Sequence, residues 1–257
     1  MDYDGQAAFD DVLRPWLENN IPAIEQLRSL GASSGGAIPP MPGEALWFLY
    51  SVHRVLELLV LRFQTFSPGG SNEQGPAITL GEFFRFASGI GADILNPRPW
   101  SPFHHEIVGL APTSPDMRPQ GLRQHWPCLM LGPLLLMRAG VTVPAGAARL
   151  VPGIADRSML FWAYRRNSRR HNDLAHGWGA NSSWRTAFRR DYVLDGTFHF
   201  NVDGEIDLAT LRPGDVDDHG LSPQERRELV VHRCFVTCDK DDAGLFPYDD
   251  RCSLKAV

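Results

Sequence analysis

The sequence predicts an α+β fold: helices first, then a mostly antiparallel β-sheet, barrel-like or sandwich-like, with one late helix. Three observations predict it. Apolar residues recur at helical spacing through the first ninety positions. Asp195–Gly196 and Asp203–Gly204 are two-residue hairpin signals. SPQERRELVVH (222–232) is a helix start set in strand-like sequence. The division falls near residue 92, with a helical region at 1–92 and a β-rich region at 93–257 carrying the candidate site, the two expected to form one integrated domain. A chain of 257 residues is long enough to bury a proper core.

In NNIPAIEQLRSLG, Asn20 suits a cap, Pro22 an early helical position and Gly31 a stop. GASSGGAIPPMPG (31–43) is a loop by composition. Residues 44–66 follow as a long helix, with Phe48, Val52, Val55, Leu59 and Phe63 along one stripe. A third helix begins at TLGEFFRF, where Thr79 and Glu82 have the spacing of a capping box. Pro97, Pro99 and Pro102 exclude regular helix, and FHHEIVGL (103–110) reads as a strand. The apolar run Leu129–Met137 is ambiguous between buried helix and buried strand, and Gly132–Pro133 breaks either. VTV (141–143) and the aromatic-rich SMLFWAY (158–164) read as strands.

From Trp184 the sequence looks like a β-meander. A turn at Asp195–Gly196 sets Tyr192 opposite His199 and Arg190 opposite Asn201. Alternation then puts these four on a polar face that could line a cleft, and Val193, Phe198 and Phe200 on a packed one. In the late helix Ser222 caps, Pro223 takes the first turn and Glu225 completes a capping box. The tail DKDDAGLFPYDDRC lacks the Asp/Asn alternation and terminal Glu of a calcium loop.

Hydrophobic residues make up 43% and charged residues 21%, an ordinary globular composition. A net charge of −5 gives no bulk attraction for nucleic acid or an anionic membrane, and neither is expected as a partner. The local run Arg165, Arg166, Arg169 and Arg170 reads as a solvated face. The acidic start MDYDGQAAFDD is no signal peptide, and His53, Arg54, Glu57 and Arg62 interrupt the most apolar segment. A soluble, cytoplasmic protein is expected. Cys128, Cys234, Cys238 and Cys252 fit no zinc knuckle and read as reduced thiols, with CFVTC placing Cys234 and Cys238 on one face of a strand.

Chemistry-bearing residues concentrate in HNDLAHGWGANSSWRTAFRRDY (171–192) and FHHEIV (103–108). On a strand, His104 and Glu106 share a face and can bind one divalent metal from adjacent corners. A distant His would supply the third ligand. His171-x-Asp173 has the same spacing within loop-like sequence. With His176 following, and Arg185 and Arg190 after it, the ordering resembles that of iron(II)/2-oxoglutarate-dependent oxygenases. The resemblance covers motif spacing alone. It implies His104, Glu106 and His176 as metal ligands, iron(II) as the metal, and Arg185 or Arg190 as the clamp for 2-oxoglutarate. Tyr192 and His199 would line the cavity as candidate catalytic groups around a small-molecule substrate. His171 and Asp173 stay open as alternative ligands.

Two other readings compete. His176 could be a general base held by Asp173 or Asp191, with Ser182 or Ser183 as nucleophile or Glu106 as acid, although no GxSxG elbow is present. Alternatively, Trp178, Trp184, Tyr192, Arg185 and Arg189 form the landing surface of a non-catalytic binding or immunity-type protein. The plain structural role, a hydrogen-bonded loop anchored by Trp178 and Trp184, accounts for each residue taken singly.

Overall fold

The computed structural model describes residues 5–32, 36–64, 75–156, 188–240, 245 and 249–256. A π-helical turn at Phe9–Leu13 runs into α1 (Arg14–Asn19), and α2 (Ile21–Leu30) follows with Pro22 in its first turn. Asn20 occupies the cap position of α2, but its side-chain amide donates back to the Trp16 carbonyl at 2.9 Å. Next come α3 (Gly43–Val60), a 3-10 turn at Leu61–Phe63, and α4 (Leu80–Gly89). The expected capping box opens α4: the Glu82 N–H donates to the Thr79 hydroxyl at 3.2 Å, and the Thr79 N–H donates to the Glu82 carboxylate at 2.8 Å.

The buried line of α3 differs from the expected stripe. Val52 and Leu59 are buried, but Val55 is 40% exposed, and the core line adds Ala45, Leu49, Leu56 and Val60. The helix is apolar nearly all round, so spacing alone leaves its inward face undetermined.

Ten strands are defined among the described residues. In chain order they are β1 (Asp93–Leu95), β2 (His105–Pro112), β3 (Arg123–Trp126), β4 (Cys128–Leu131), β5 (Leu134–Met137), β6 (Ala139–Ala145), β7 (Tyr192–Leu194), β8 (Thr197–Phe200), β9 (Ile206–Asp207) and β10 (Asp250–Lys255). Seven form an open sheet in the order β1-β4-β5-β7-β8-β10-β9, and three form a second sheet, β2-β6-β3. Neither closes into a barrel, and pairing is antiparallel except at β2–β6 and β9–β10. One further helix, α5 (Pro223–His232), carries the expected Ser222–Glu225 capping box.

The ambiguous run Leu129–Met137 is two strands joined at Gly132–Pro133, where Gly132 takes φ 54°. Its uniform greasiness has a simple cause. Leu129, Leu131, Leu134 and Leu136 enter a core beneath the helices, while Cys128, Met130 and Leu135 enter another shared with the small sheet and α5. A strand buried on both faces shows no polar alternation.

The Asp195–Gly196 hairpin has the expected register, with Tyr192 opposite His199 and Val193 opposite Phe198. Both turn residues have positive φ, as the two-residue turn requires. The face carrying Tyr192 is not a polar cleft, however. Tyr192 is packed into the helix-side core, and the Asn201 amide donates to the Asp250 carbonyl at 2.7 Å. Asp203–Gly204 is a turn but not a hairpin, since β9 pairs in parallel with β10 instead of returning on β8. A Cβ at Gly204 would lie 2.7 Å from the Asp250 carbonyl, so the close approach needs glycine.

Two further expectations change. The strand read at 103–110 begins at His105, because the chain turns ahead of it and the His105 N–H donates to the Ser101 carbonyl at 2.9 Å. Cys234 and Cys238 lie in irregular chain after α5 rather than on a strand, the helix closing at Arg233 with φ 62°. All four thiols are free, and burial pushes that of Cys128 up to about 12. SMLFWAY lies outside the described residues. No described helix is long and apolar enough to cross a membrane.

Gly140 on β6 lies under the ring of fully buried Trp126, whose indole N–H donates to the Arg138 carbonyl at 3.0 Å. A Cβ at 140 would overlap that ring. Gly140→Ala should therefore cost about 1–3 kcal/mol, the range for overpacking a tight core. Urea denaturation checks this, and an unchanged midpoint would show that Trp126 can move aside.

Candidate functional site

Arg138 sits between β5 and β6, the one charged residue between Leu129 and Val143. Its neighbours in sequence are buried on both sides of the sheet, so its side chain is held inside and is 2% exposed. Asp191, immediately before β7, is 0% exposed and receives it. Arg138 Nη2 donates to Asp191 Oδ2 at 3.3 Å. Arg189 donates from Nε to Oδ1 at 3.2 Å and from Nη2 to Oδ2 at 3.0 Å. Arg233, the αL residue closing α5, donates to Oδ2 at 3.0 Å. The backbone N–H of Asn201, itself at φ 51°, donates to Oδ1 at 2.8 Å. One carboxylate thus serves three buried guanidinium groups.

The electrostatics follow from that ratio. Burial alone would raise the Asp191 pKa, but Arg189, Arg233 and Arg138 hold it well below the usual carboxylate range. Burial and then Arg233 push Arg138 down to about 9, so it still carries its charge at neutral pH. Glu106 contributes negative charge to Arg138, so among the described residues three guanidiniums face two carboxylates. Among the described residues Arg138 Nε and Nη1 have no hydrogen-bond partner.

His104 lies in the turn before β2, edge-on to Phe103 and Phe198 with ring centres 4.9 and 5.3 Å away. That apolar setting, followed by the charges of His105 and Arg138, pushes its pKa down to about 4. His105 points elsewhere: its ring nitrogens lie 3.0 Å from the Ser101 carbonyl and 3.1 Å from the Pro97 carbonyl.

The other expected site residues that are described engage the chain's own groups. Glu106 is on β2 and half-buried. Arg190 grips Asp203 through two bonds, of 2.8 and 2.5 Å, and donates to the Pro39 carbonyl at 2.7 Å. Its fork therefore holds the chain's own carboxylate. The Tyr192 hydroxyl accepts from Arg190 at 3.3 Å within the core. His199 is half-exposed, with Nδ1 3.0 Å from the Ser253 hydroxyl. His171, Asp173, His176, Trp178, Ser182, Ser183, Trp184 and Arg185 lie outside the described residues.

Sequence reading missed Arg138 and Arg233. The signal for Arg138 was present, since a lone Arg inside an unbroken apolar run has nowhere to reach water. Arg233 gave none, because nothing local announces that a helix will close in a left-handed residue aimed at Asp191. No protein-family description, curated protein or solved structure matches the chain at a significant level.

Removing the shared carboxylate's charge with Asp191→Asn would leave three buried cations facing a neutral amide. A loss of about 3–5 kcal/mol is expected, as for other broken buried pairs, and an unchanged urea midpoint would show that these arginines reach solvent.

The histidine makes a pH prediction. His104 has an ordinary value of 6.5 and a folded value of about 4, so the unfolded chain binds the proton more tightly. Its stabilising contribution is present above pH 6.5 and is lost as pH falls toward 4. His105 and His125 are lowered by burial in the same direction. His104→Phe should remove part of the acid slope of stability between those values. An identical slope would place its imidazole in water.

Proposed function

We propose that the chain binds a small-molecule anion, bearing a carboxylate or phosphate, at the guanidinium centre of Arg138, Arg189 and Arg233. The observation that carries this reading is Arg138: a fully buried cation with two donors unpartnered among the described residues, on an Asp191 carboxylate that it shares with two further guanidiniums. Buried charged donors left unmet are costly, and a guanidinium fork matches a carboxylate or phosphate through paired hydrogen bonds. Enclosure favours a small ligand over a polymer, as Arg138, Arg189, Asp191 and Arg233 are all buried. His104, kept neutral at pH 7 beside Arg138, is the candidate for proton transfer at a bound ligand.

A second reading retains the metal. His104 is a neutral imidazole two residues from Glu106, the donor form a divalent ion needs. His176 and Arg185 would complete the set from outside the described residues. The fit is poorer. Among the described residues no group of three His, Cys, Asp or Glu could hold a metal, and the charge of Arg138 acts on both His104 and Glu106.

Isothermal titration with phosphate, citrate and 2-oxoglutarate tests the first reading. One of these should saturate a single site. Arg138→Met should weaken it by roughly 30-fold or more, the effect of removing one partner of a buried charged contact, while melting temperature holds or rises. No saturable anion, or equal affinity in the variant, would overturn it. Anaerobic iron(II) with 2-oxoglutarate giving a charge-transfer band lost in Glu106→Ala would instead support the metal.

A further inference from the structure

Away from the guanidinium centre, a cavity of about 670 Å³ opens between the proline-rich turn ahead of β2, the loops flanking β6, and α5. From α5 come Gln224, Arg227, Glu228 and Val231, the i, i+3, i+4, i+7 set of one helical face. Across from them, Arg118 and Arg149 sit on loops pinned to each other and to β6. The Gly146 N–H donates to the Met117 carbonyl at 2.9 Å, the Gln120 N–H to the Pro144 carbonyl at 3.3 Å, and the Arg149 N–H to the Gly146 carbonyl at 2.9 Å. Trp100 forms part of the wall, stacked on His105 with ring centres 5.6 Å apart and planes 20° from parallel.

The charge of this cavity is unbalanced. Among the described residues the guanidiniums of Arg118 and Arg149 have no hydrogen-bond or ion-pair partner. Arg227 reaches the Cys252 thiol, but its buried Nε has no partner. The one carboxylate among the described lining residues is committed: Glu228 accepts from the Val236 N–H at 2.6 Å and the Thr237 hydroxyl at 3.0 Å. Three guanidiniums on three separate segments suit a dianion with several acceptor oxygens better than a single carboxylate. An indole in the same wall suits a flat ring. The volume is that of an ordinary small-molecule site.

We infer that this cavity is a binding site for a phosphorylated small molecule carrying a planar ring, the phosphate held by Arg118, Arg149 and Arg227 and the ring against Trp100. It shares no lining residue with the Arg138 centre, so the two sites stand or fall separately.

Adenosine 5′-monophosphate is the probe, titrated calorimetrically into the full chain beside adenosine and ribose 5-phosphate. One equivalent should bind, about tenfold or more tighter than either fragment. Arg118→Glu and Arg149→Glu, both at exposed positions that leave the fold intact, should each weaken it by roughly tenfold or more through lost attraction and added repulsion. Arg138→Met should leave it unchanged. No binding, or binding unaltered by both charge reversals, would overturn the inference. So would ribose 5-phosphate matching the nucleotide, which would remove the ring. Loss of binding in Arg138→Met alone would place the nucleotide at the guanidinium centre instead.

Discussion

The Asp191 carboxylate ties four parts of the chain to one buried point. It joins the β5–β6 junction through Arg138, the approach to β7 through Arg189, the exit of β8 through the Asn201 N–H, and the end of α5 through Arg233. The large sheet and the late helix are therefore tied at a polar point inside an otherwise apolar molecule. Such a point is expensive in isolation, because desolvating an ion costs several kcal/mol before any attraction is counted. It is tolerable here because Asp191 accepts on both oxygens and meets more than one cation.

The same arrangement is lopsided. Natural interiors place polar groups where they can be matched, and a buried guanidinium surplus runs against that tendency. A core needing only a tether could use one Arg with one Asp. Among the described residues three guanidiniums meet one carboxylate, and the proposed anion site rests on that ratio more than on burial. The pull on His104 belongs to the same local field, since Arg138 adds to burial in keeping that imidazole neutral.

What could be read from the sequence was what neighbouring residues decide. The boxes at Thr79–Glu82 and Ser222–Glu225 and the turn at Asp195–Gly196 are settled within four residues, and all three stand in the structure. The inward face of α3 was not legible, because an almost wholly apolar helix gives no contrast between its sides. Nor was the parallel pairing of β9 with β10, whose partners are more than forty residues apart. Of the expected site, His104 and Glu106 do lie in the surroundings of Arg138, whereas Arg190 and Tyr192 turn to internal bonds. The centre itself was hidden because its members, at 138, 189, 191 and 233, meet only in the folded chain.

The most direct test of the guanidinium surplus compares urea midpoints in chloride and in phosphate at matched ionic strength, for the native chain and for Arg138→Met. A surplus cation awaiting an anion predicts that phosphate raises the native midpoint clearly more than the variant's, whose remaining response is what the Arg118–Arg149–Arg227 cavity supplies. Equal phosphate responses in the two proteins would contradict the account and make the cluster purely a fastening of the fold.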